Sequence, residues 1–351
     1  MLMASFVHQV LPLIVLAGVL PGIGMGVSFA PILFIIPEWF QARRGLATGI
    51  VFAASGLGGL IFPFLFEATL GSVGLAWTYR IWGLCLLILG TPSLYFMRPR
   101  LPVRKPGSII HSRAFRLKGL AFVTSPLFIV NVSHFDLLQH GFSTDRSLQA
   151  SIVTVLSAGQ LSVTLYIPSY ILAAGMSPTT ATAGVAILNA SMTIGKVLVG
   201  YACDRFSYSL VTMIVGLVSA LAAFLLLGLS THIVAITAFI VLLGLTAGGY
   251  SAVSGVSGGE VARQRNVPTG TIMMAYTLLM GLASLMGPLV SAALIDVGHA
   301  TPGAATHKAV FGSYGYLPLI VWVGSCMALA FALGIVLHVM RRSIVFSAAS
   351  A

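Results

Sequence analysis

The sequence predicts an all-α integral membrane protein in which about nine helices cross the lipid bilayer as a bundle. Composition supports this prediction, because 58% of the 351 residues are apolar and 7% are charged, with a mean hydropathy of +1.03. Water-soluble domains carry far more charge, at about 25% of their residues. The apolar residues also form runs of about 20, the length with which a helix crosses the hydrocarbon core and satisfies its own backbone hydrogen bonds.

Each predicted span is one of these apolar runs. In chain order the runs cover residues 10–37, 46–66, 76–97, 148–173, 178–201, 209–229, 233–257, 269–294 and 316–340. Most basic residues lie between them, at Arg43 and Arg44, Arg98 to Lys118, Arg205, Arg263 and Arg265, and Arg341 and Arg342. Threading the spans in order places every basic cluster on one side, which the positive-inside rule identifies as the cytoplasm. We therefore expect a cytoplasmic C terminus, and the net charge of +11 indicates membrane topology rather than nucleic-acid binding.

The spacing of the spans predicts two helical bundles. Residues 1–97 hold the first three spans and residues 148–351 hold six. The intervening residues 98–147 are basic at first and then polar, which is typical of a cytoplasmic linker. Within the linker, Leu120–Val132 is too short to span and indicates an interfacial helix or the start of an interrupted span. The following His134–Arg146 has the character of an insertion or of an error in the gene model.

A weak internal repeat supports the division into two bundles. Arg44–Pro63 and Arg265–Pro288 both place an arginine at a turn, a Thr-Gly pair at the entry to a helix and a proline in its far part. Transporters are commonly built from such repeats, with the solute site between the two halves.

Three stretches of the chain carry a resemblance to a known family. Pro21–Pro63 combines a glycine-rich helix with Trp39-Phe40 and Arg43-Arg44 at the following turn, and the other two stretches are Tyr166–Tyr170 and Asn189–Arg205. Together they resemble the major facilitator superfamily, and within it the monocarboxylate-transporter-like branch of fungi that also contains riboflavin porters.

The resemblance implies a fold of twelve helices in two halves that rock against each other. This chain would hold about nine of the twelve, with residues 1–97 as a remnant of the N-terminal bundle, resembling helices four to six, and residues 148–351 as the C-terminal bundle of six helices. On this basis we expect a truncated product or an incomplete gene model that lacks the first three helices. The implied function is secondary active or facilitative transport of a small organic solute such as a monocarboxylate. The alternative is a non-transporting membrane protein, either a solute sensor or an inactive remnant.

Lys196 is the first candidate for solute binding, because it is the one cation well inside a predicted span and charge within the bilayer is costly. The family usually has an arginine near the substrate carboxylate at this place, so the resemblance implies that Lys196 binds the anionic group of the solute. The alternative is that its stem snorkels toward Asp204 at the nearby interface. Animal members place a proton-coupling aspartate one turn earlier, where this chain has Met192, so a coupling proton remains an open partner.

Five further polar side chains on the predicted helices are candidate solute contacts. They are Asn189, Gln160, Tyr166, Tyr170 and Tyr276. Asn189 is equally suited to bond another helix. Tyr166 and Tyr170 also suit the belt of aromatic residues at the outer membrane interface.

Gly200, Asp204 and Arg205 resemble the cytoplasmic gate motif of the superfamily, in which an aspartate and basic residues clamp neighbouring helices in one state. Arg43 and Arg44, at a turn on the same predicted side, complete the candidate gate. The alternative is a solvated turn that its charges stabilise.

No motif for catalysis, metal binding or cofactor binding occurs in the sequence, such as His-Glu-x-x-His, Cys-x-x-Cys or Gly-x-Ser-x-Gly. The sequence therefore predicts a protein that is not an enzyme and needs no cofactor or metal. The predicted location is the plasma membrane, with the vacuolar or another organelle membrane as alternatives.

Overall fold

The computed structural model describes residues 2–7, 9–97, 100, 144–229, 232–265, 269–300 and 311–349. All regular secondary structure in these residues is helical. The first long helix, α1, runs without a break through Val10–Leu13, a π-helical stretch at Ile14–Val19, and Leu20–Trp39.

A single helical segment, Arg44–Phe96, reverses its direction at Gly74. Gly74 has φ 76° and ψ 172°, a conformation that is open to glycine because it lacks a Cβ. Phe62 and Trp82 would lie about 30 Å apart in a straight helix, yet their ring centres are 4.9 Å apart. The segment is therefore a hairpin of two helices, α2 (residues 44–73) and α3 (residues 75–96).

Seven helices follow in the second part of the chain. They are α4 (Thr144–Ala173), α5 (Pro178–Arg205), α6 (Tyr208–Leu221), α7 (Ile233–Leu245), α8 (Ser251–Arg265), α9 (Thr269–Ala300) and α10 (Leu317–Ala349). A π-helical turn, Ala222–Leu227, extends α6. A 3-10 turn, Ala247–Gly249, joins α7 to α8 within one spanning length, Ile233–Ala262.

Eight helical segments in the described residues are long and apolar enough to cross a membrane. Since Arg44–Phe96 folds back at Gly74, its two arms count separately, and the described residues contain nine spans. The prediction of an all-α bundle of transmembrane helices is confirmed. Most of the predicted linker lies outside the described residues, including Leu120–Val132 and the first part of His134–Arg146, and α4 begins at Thr144 rather than at residue 148.

The main hydrophobic core lies among α4 to α10. Ile152, Phe239, Ile320 and Met327 are fully buried there. The helices α1 to α3 expose most of their apolar side chains, and Ala53 is one of their few buried apolar residues. The most extensive contact between these first helices and the rest of the protein is the packing of α2 on α5, which positions the candidate site.

Candidate functional site

Glycines line the contact between α2 and α5. A Cβ at Gly45 would overlap the Gly200 carbonyl oxygen, and one at Gly49 would overlap the Lys196 carbonyl oxygen. Further along, a Cβ at Gly56 would overlap the Thr193 hydroxyl. Because residue numbers rise on α2 while they fall on α5, the two helices are antiparallel. We call this contact the glycine seam, and backbones approach this closely only where side chains are missing.

Replacing Gly49 with alanine is expected to destabilise the protein by about 1–3 kcal/mol, because the new methyl group meets backbone atoms of α5 that cannot move aside. Thermal unfolding of the purified protein in detergent measures the effect. The matched control is Gly71→Ala on the same helix, where a Cβ meets nothing within 4 Å. Equal stability of the two variants would show that the seam is not tightly packed.

One end of the seam, called here the Asp204 end, contains a helix cap supplied by another helix. The Gly45 N–H donates to Asp204 Oδ1 at 2.8 Å and the Leu46 N–H donates to Asp204 Oδ2 at 2.8 Å. Arg43, the N-cap residue of α2, makes no side-chain capping bond. The Asp204 carboxylate therefore satisfies two unpaired N–H groups and places a negative charge at the positive end of the helix dipole.

The arginines of the predicted gate lie at the same end but do not pair with Asp204 in the part of the chain that the structure describes. The Arg205 guanidinium lies 5.5 Å from the centre of the Tyr201 ring on its own helix. Arg43 is exposed, while Arg44 is partly buried against Gly259 of α8. The Asp204 carboxylate thus bonds to backbone N–H groups of α2. The gate motif in the sequence had predicted a contact with basic side chains instead.

A second ionic contact at this end was also missed by sequence reasoning. Arg341 of α10 forms a salt bridge with Glu260 of α8. The Arg341 guanidinium also lies 4.2 Å from the centre of the Tyr208 ring. The only sequence signal for this contact is that Glu260 and Arg341 both lie near predicted span ends on the same side.

Lys196 is buried in the middle of the glycine seam, with 7% of its surface exposed. Its Nζ donates a hydrogen bond to Ser55 Oγ of α2 at 2.7 Å, and Ser55 Oγ in turn donates to the Phe52 carbonyl at 2.7 Å. Within the described residues Ser55 is the one hydrogen-bond partner of the ammonium group, which has three N–H donors. Two N–H donors therefore have no acceptor among the described residues.

The Lys196 ammonium group points away from the Asp204 end. The Lys196 backbone lies opposite Gly49, and Ser55 lies six residues further along α2, which is about 9 Å. Helical side chains lean toward the N terminus of their own helix, and the N terminus of α5 is at the far end from Asp204. This direction is opposite to the one that snorkelling toward Asp204 requires.

Two more of the predicted contacts lie within two helical turns of Lys196 along α5. Asn189, Met192 and Lys196 share one face of α5. Gln160 Nε2 of α4 lies 3.6 Å from Met192 Sδ, and Asn189 Oδ1 faces Gly59 of α2. Lys196, Asn189 and Gln160 thus lie where α2, α4 and α5 meet, and Ser55 joins them although sequence reasoning did not select it.

The three predicted tyrosines lie elsewhere. The Tyr166 hydroxyl donates to the Pro288 carbonyl of α9 at 3.1 Å. Tyr170 is 2% exposed and packs edge-on against Tyr316, with ring centres 5.1 Å apart. Tyr276 is buried in a small cluster with Val261 and Ala262 of α8, among other residues. The structure therefore separates these three residues from Lys196.

The described residues contain no group of three histidine, cysteine or acidic side chains that could hold a metal ion. Cys85, Cys203 and Cys326 are free thiols. The chemistry that the site offers is therefore hydrogen bonding and charge, from one buried ammonium group and neutral polar side chains.

A bundle of membrane-spanning helices with a buried cation at the contact between two helix groups is characteristic of a membrane transport protein. A family model described as Major Facilitator Superfamily matches residues 1–288. The chain belongs to this superfamily. It is a multi-pass integral membrane protein and a transporter-family protein, not an enzyme.

Curated relatives of the chain are fungal transporters. The MFS-type transporter pytF of Aspergillus terreus is 32% identical over 168 residues, which is 45% of this chain and 56% of the relative. The aspyridones efflux protein apdF of Emericella nidulans is 36% identical over 119 residues, which is 34% of this chain and 24% of the relative. The MFS-type transporter 1 of Ophiocordyceps sp. is 30% identical over 171 residues, covering 46% of this chain and 38% of the relative. The chain thus spans about half of the length of these relatives or less.

Proposed function

We propose that this chain forms the solute-binding part of a secondary transporter for small organic acids of the monocarboxylate type. The observation that carries the proposal is Lys196, a buried ammonium group with two N–H donors not used by the described residues. A charge inside the bilayer is costly unless it is paired, so a solute carboxylate at this position would stabilise the site.

In the proposed site, the negative charge that pairs with Lys196 comes from the solute and not from an acidic side chain of the protein. Met192 lies one turn before Lys196 and has no titratable group that could carry a coupling proton. In the described part of the chain Asp204 is occupied as a helix cap and Glu260 is paired with Arg341. In this proposal the negative group nearest to Lys196 is therefore the solute, and transport does not need a coupling proton on α5.

Alternating access is the proposed mechanism, with the glycine seam as the surface along which two groups of helices rock. The Asp204 cap closes one end of the seam through two hydrogen bonds that break if α2 moves away from α5. Lys196 lies further along the seam, so a solute bound there is exposed to one side or the other as the ends open in turn. We place the protein in the plasma membrane with a cytoplasmic C terminus. The similarity to the aspyridones efflux protein supports export as the direction.

Uptake into proteoliposomes tests the proposal. Vesicles that contain the purified full chain are expected to take up radiolabelled pyruvate or phenylpyruvate with saturable kinetics, and unlabelled acid inside the vesicles is expected to accelerate entry of the label. Protein-free vesicles give the background. Uptake at the background level for both acids contradicts transport, and binding without uptake would identify a solute sensor instead.

A further inference from the structure

An apolar cleft with a volume of about 360 Å³ lies between α2, α4 and α5. Leu60, Phe64, Leu172 and Val185 are among the residues that line it, and Thr182 is the one polar side chain that the described part of the chain contributes to its walls. Its volume lies within the range of small-molecule sites, about 300–1,000 Å³.

The walls of the cleft contain a proline from each of the three helices, namely Pro63, Pro168 and Pro178. Proline has no backbone N–H and its ring fixes the φ angle. The walls therefore offer a stiff apolar surface with few hydrogen-bond donors, which suits an apolar group and not a charged one.

The cleft follows the Lys196 site along the same contact of α2 with α5, with Asn189 between them. Gly59 lines the cleft and also faces Asn189 Oδ1, while Asn189 Nδ2 donates to the carbonyl of Val185, another lining residue, at 3.0 Å. Ser55 precedes Gly59 by one turn, about 6 Å, and Phe64 lies about 13 Å beyond Ser55 along α2. Lys196 and the cleft thus lie in line along α2 and α5, with a charged group first and apolar walls about two turns further on.

We infer that the solute is amphiphilic: its carboxylate binds Lys196 and Ser55, and a rigid apolar body, such as an aromatic ring, fills the cleft between α2, α4 and α5. This inference rests on the proposed function, since it names the class of acid that the same site takes. Short carboxylates bind only the charged end and leave the apolar walls exposed, so their affinity is lower.

The test compares pyruvate with phenylpyruvate, which share a head group and differ in the apolar body. Binding to the purified full chain in lipid nanodiscs is expected to be about 30-fold tighter for phenylpyruvate. Val185→Phe, which fills the cleft, is expected to weaken phenylpyruvate binding about 10-fold and to leave pyruvate binding unchanged. The matched control is Ile187→Phe on the same helix, because Ile187 is 36% exposed and does not line the cleft.

Each outcome of the binding experiment either supports or overturns a stated part of the inference. Equal affinities for the two acids, or a Val185→Phe variant that binds phenylpyruvate normally, overturns the inference that the cleft takes the apolar body of the solute. Wild-type protein that binds neither acid overturns the proposed function itself. If Val185→Phe does not fold, Leu172→Ala decides, because truncating a cleft wall is expected to weaken phenylpyruvate binding about threefold with pyruvate unchanged.

Discussion

Replacing Lys196 with alanine is expected to abolish saturable uptake of carboxylates while the protein still inserts into the membrane. The ammonium group is the buried cation at the seam, and a charge-assisted hydrogen bond contributes about 1.5–3 kcal/mol. The substitution also removes the attraction between opposite charges. The affinity for phenylpyruvate should therefore fall about 100-fold, which corresponds to about 3 kcal/mol. Equilibrium binding and proteoliposome uptake measure the two effects separately.

Three further variants test whether the effect of Lys196→Ala comes from the loss of the ammonium group itself. Lys196→Arg retains the charge and should keep most of the binding. Ser55→Ala removes the hydrogen-bond acceptor of the ammonium group and should weaken binding several-fold in wild-type protein but not in the Lys196→Ala background. Arg80→Ala removes a cation that contacts Ser5, Phe6 and Trp77, away from the seam, and should bind normally. Normal phenylpyruvate binding by Lys196→Ala would refute the role of Lys196 in the site.

Replacing Asp204 with alanine is expected to open the Asp204 end of the seam. The substitution leaves the N–H groups of Gly45 and Leu46 without their acceptor and removes the charge that stabilises the α2 helix dipole, at a cost of about 2–4 kcal/mol. Thermal stability should fall accordingly. In a protein with Cys85→Ser and Cys326→Ser, maleimide labelling of Cys203, which is 6% exposed, should become faster.

Two control variants distinguish the loss of the helix cap from a general effect of removing a negative charge. Asp204→Asn keeps one acceptor oxygen and should lie between the wild type and Asp204→Ala in both measurements. Asp296→Ala removes an exposed acid near the end of α9 and should change neither. Unchanged stability and labelling in Asp204→Ala would contradict the capping role. Such a result would support the alternative prediction, a solvated turn that its charges stabilise.

The membrane spans could be predicted from the sequence because each one depends on the apolar side chains of its own segment. A helix in lipid must satisfy its own backbone hydrogen bonds, so runs of about 20 apolar residues predicted all nine spans, with ends that differ from the helix ends by at most nine residues. The predicted interval between residues 66 and 76 contains Gly74, where the chain reverses. The sequence also selected Lys196, because one cation among apolar residues is conspicuous, and it selected Asp204 by its motif.

The sequence by itself thus determined the class of protein, the nine spans and the two charged residues of greatest interest. Only the tertiary structure decided that Lys196 bonds to Ser55, that Asp204 caps α2, that Tyr166, Tyr170 and Tyr276 lie away from Lys196, and that an apolar cleft continues the site. The physical reason is that lipid-exposed and buried positions of a membrane helix are both apolar, so helical periodicity carries little information about which face meets which neighbour. Ser55 and Lys196 are 141 residues apart in the chain, and the packing of α2 on α5 brings them together.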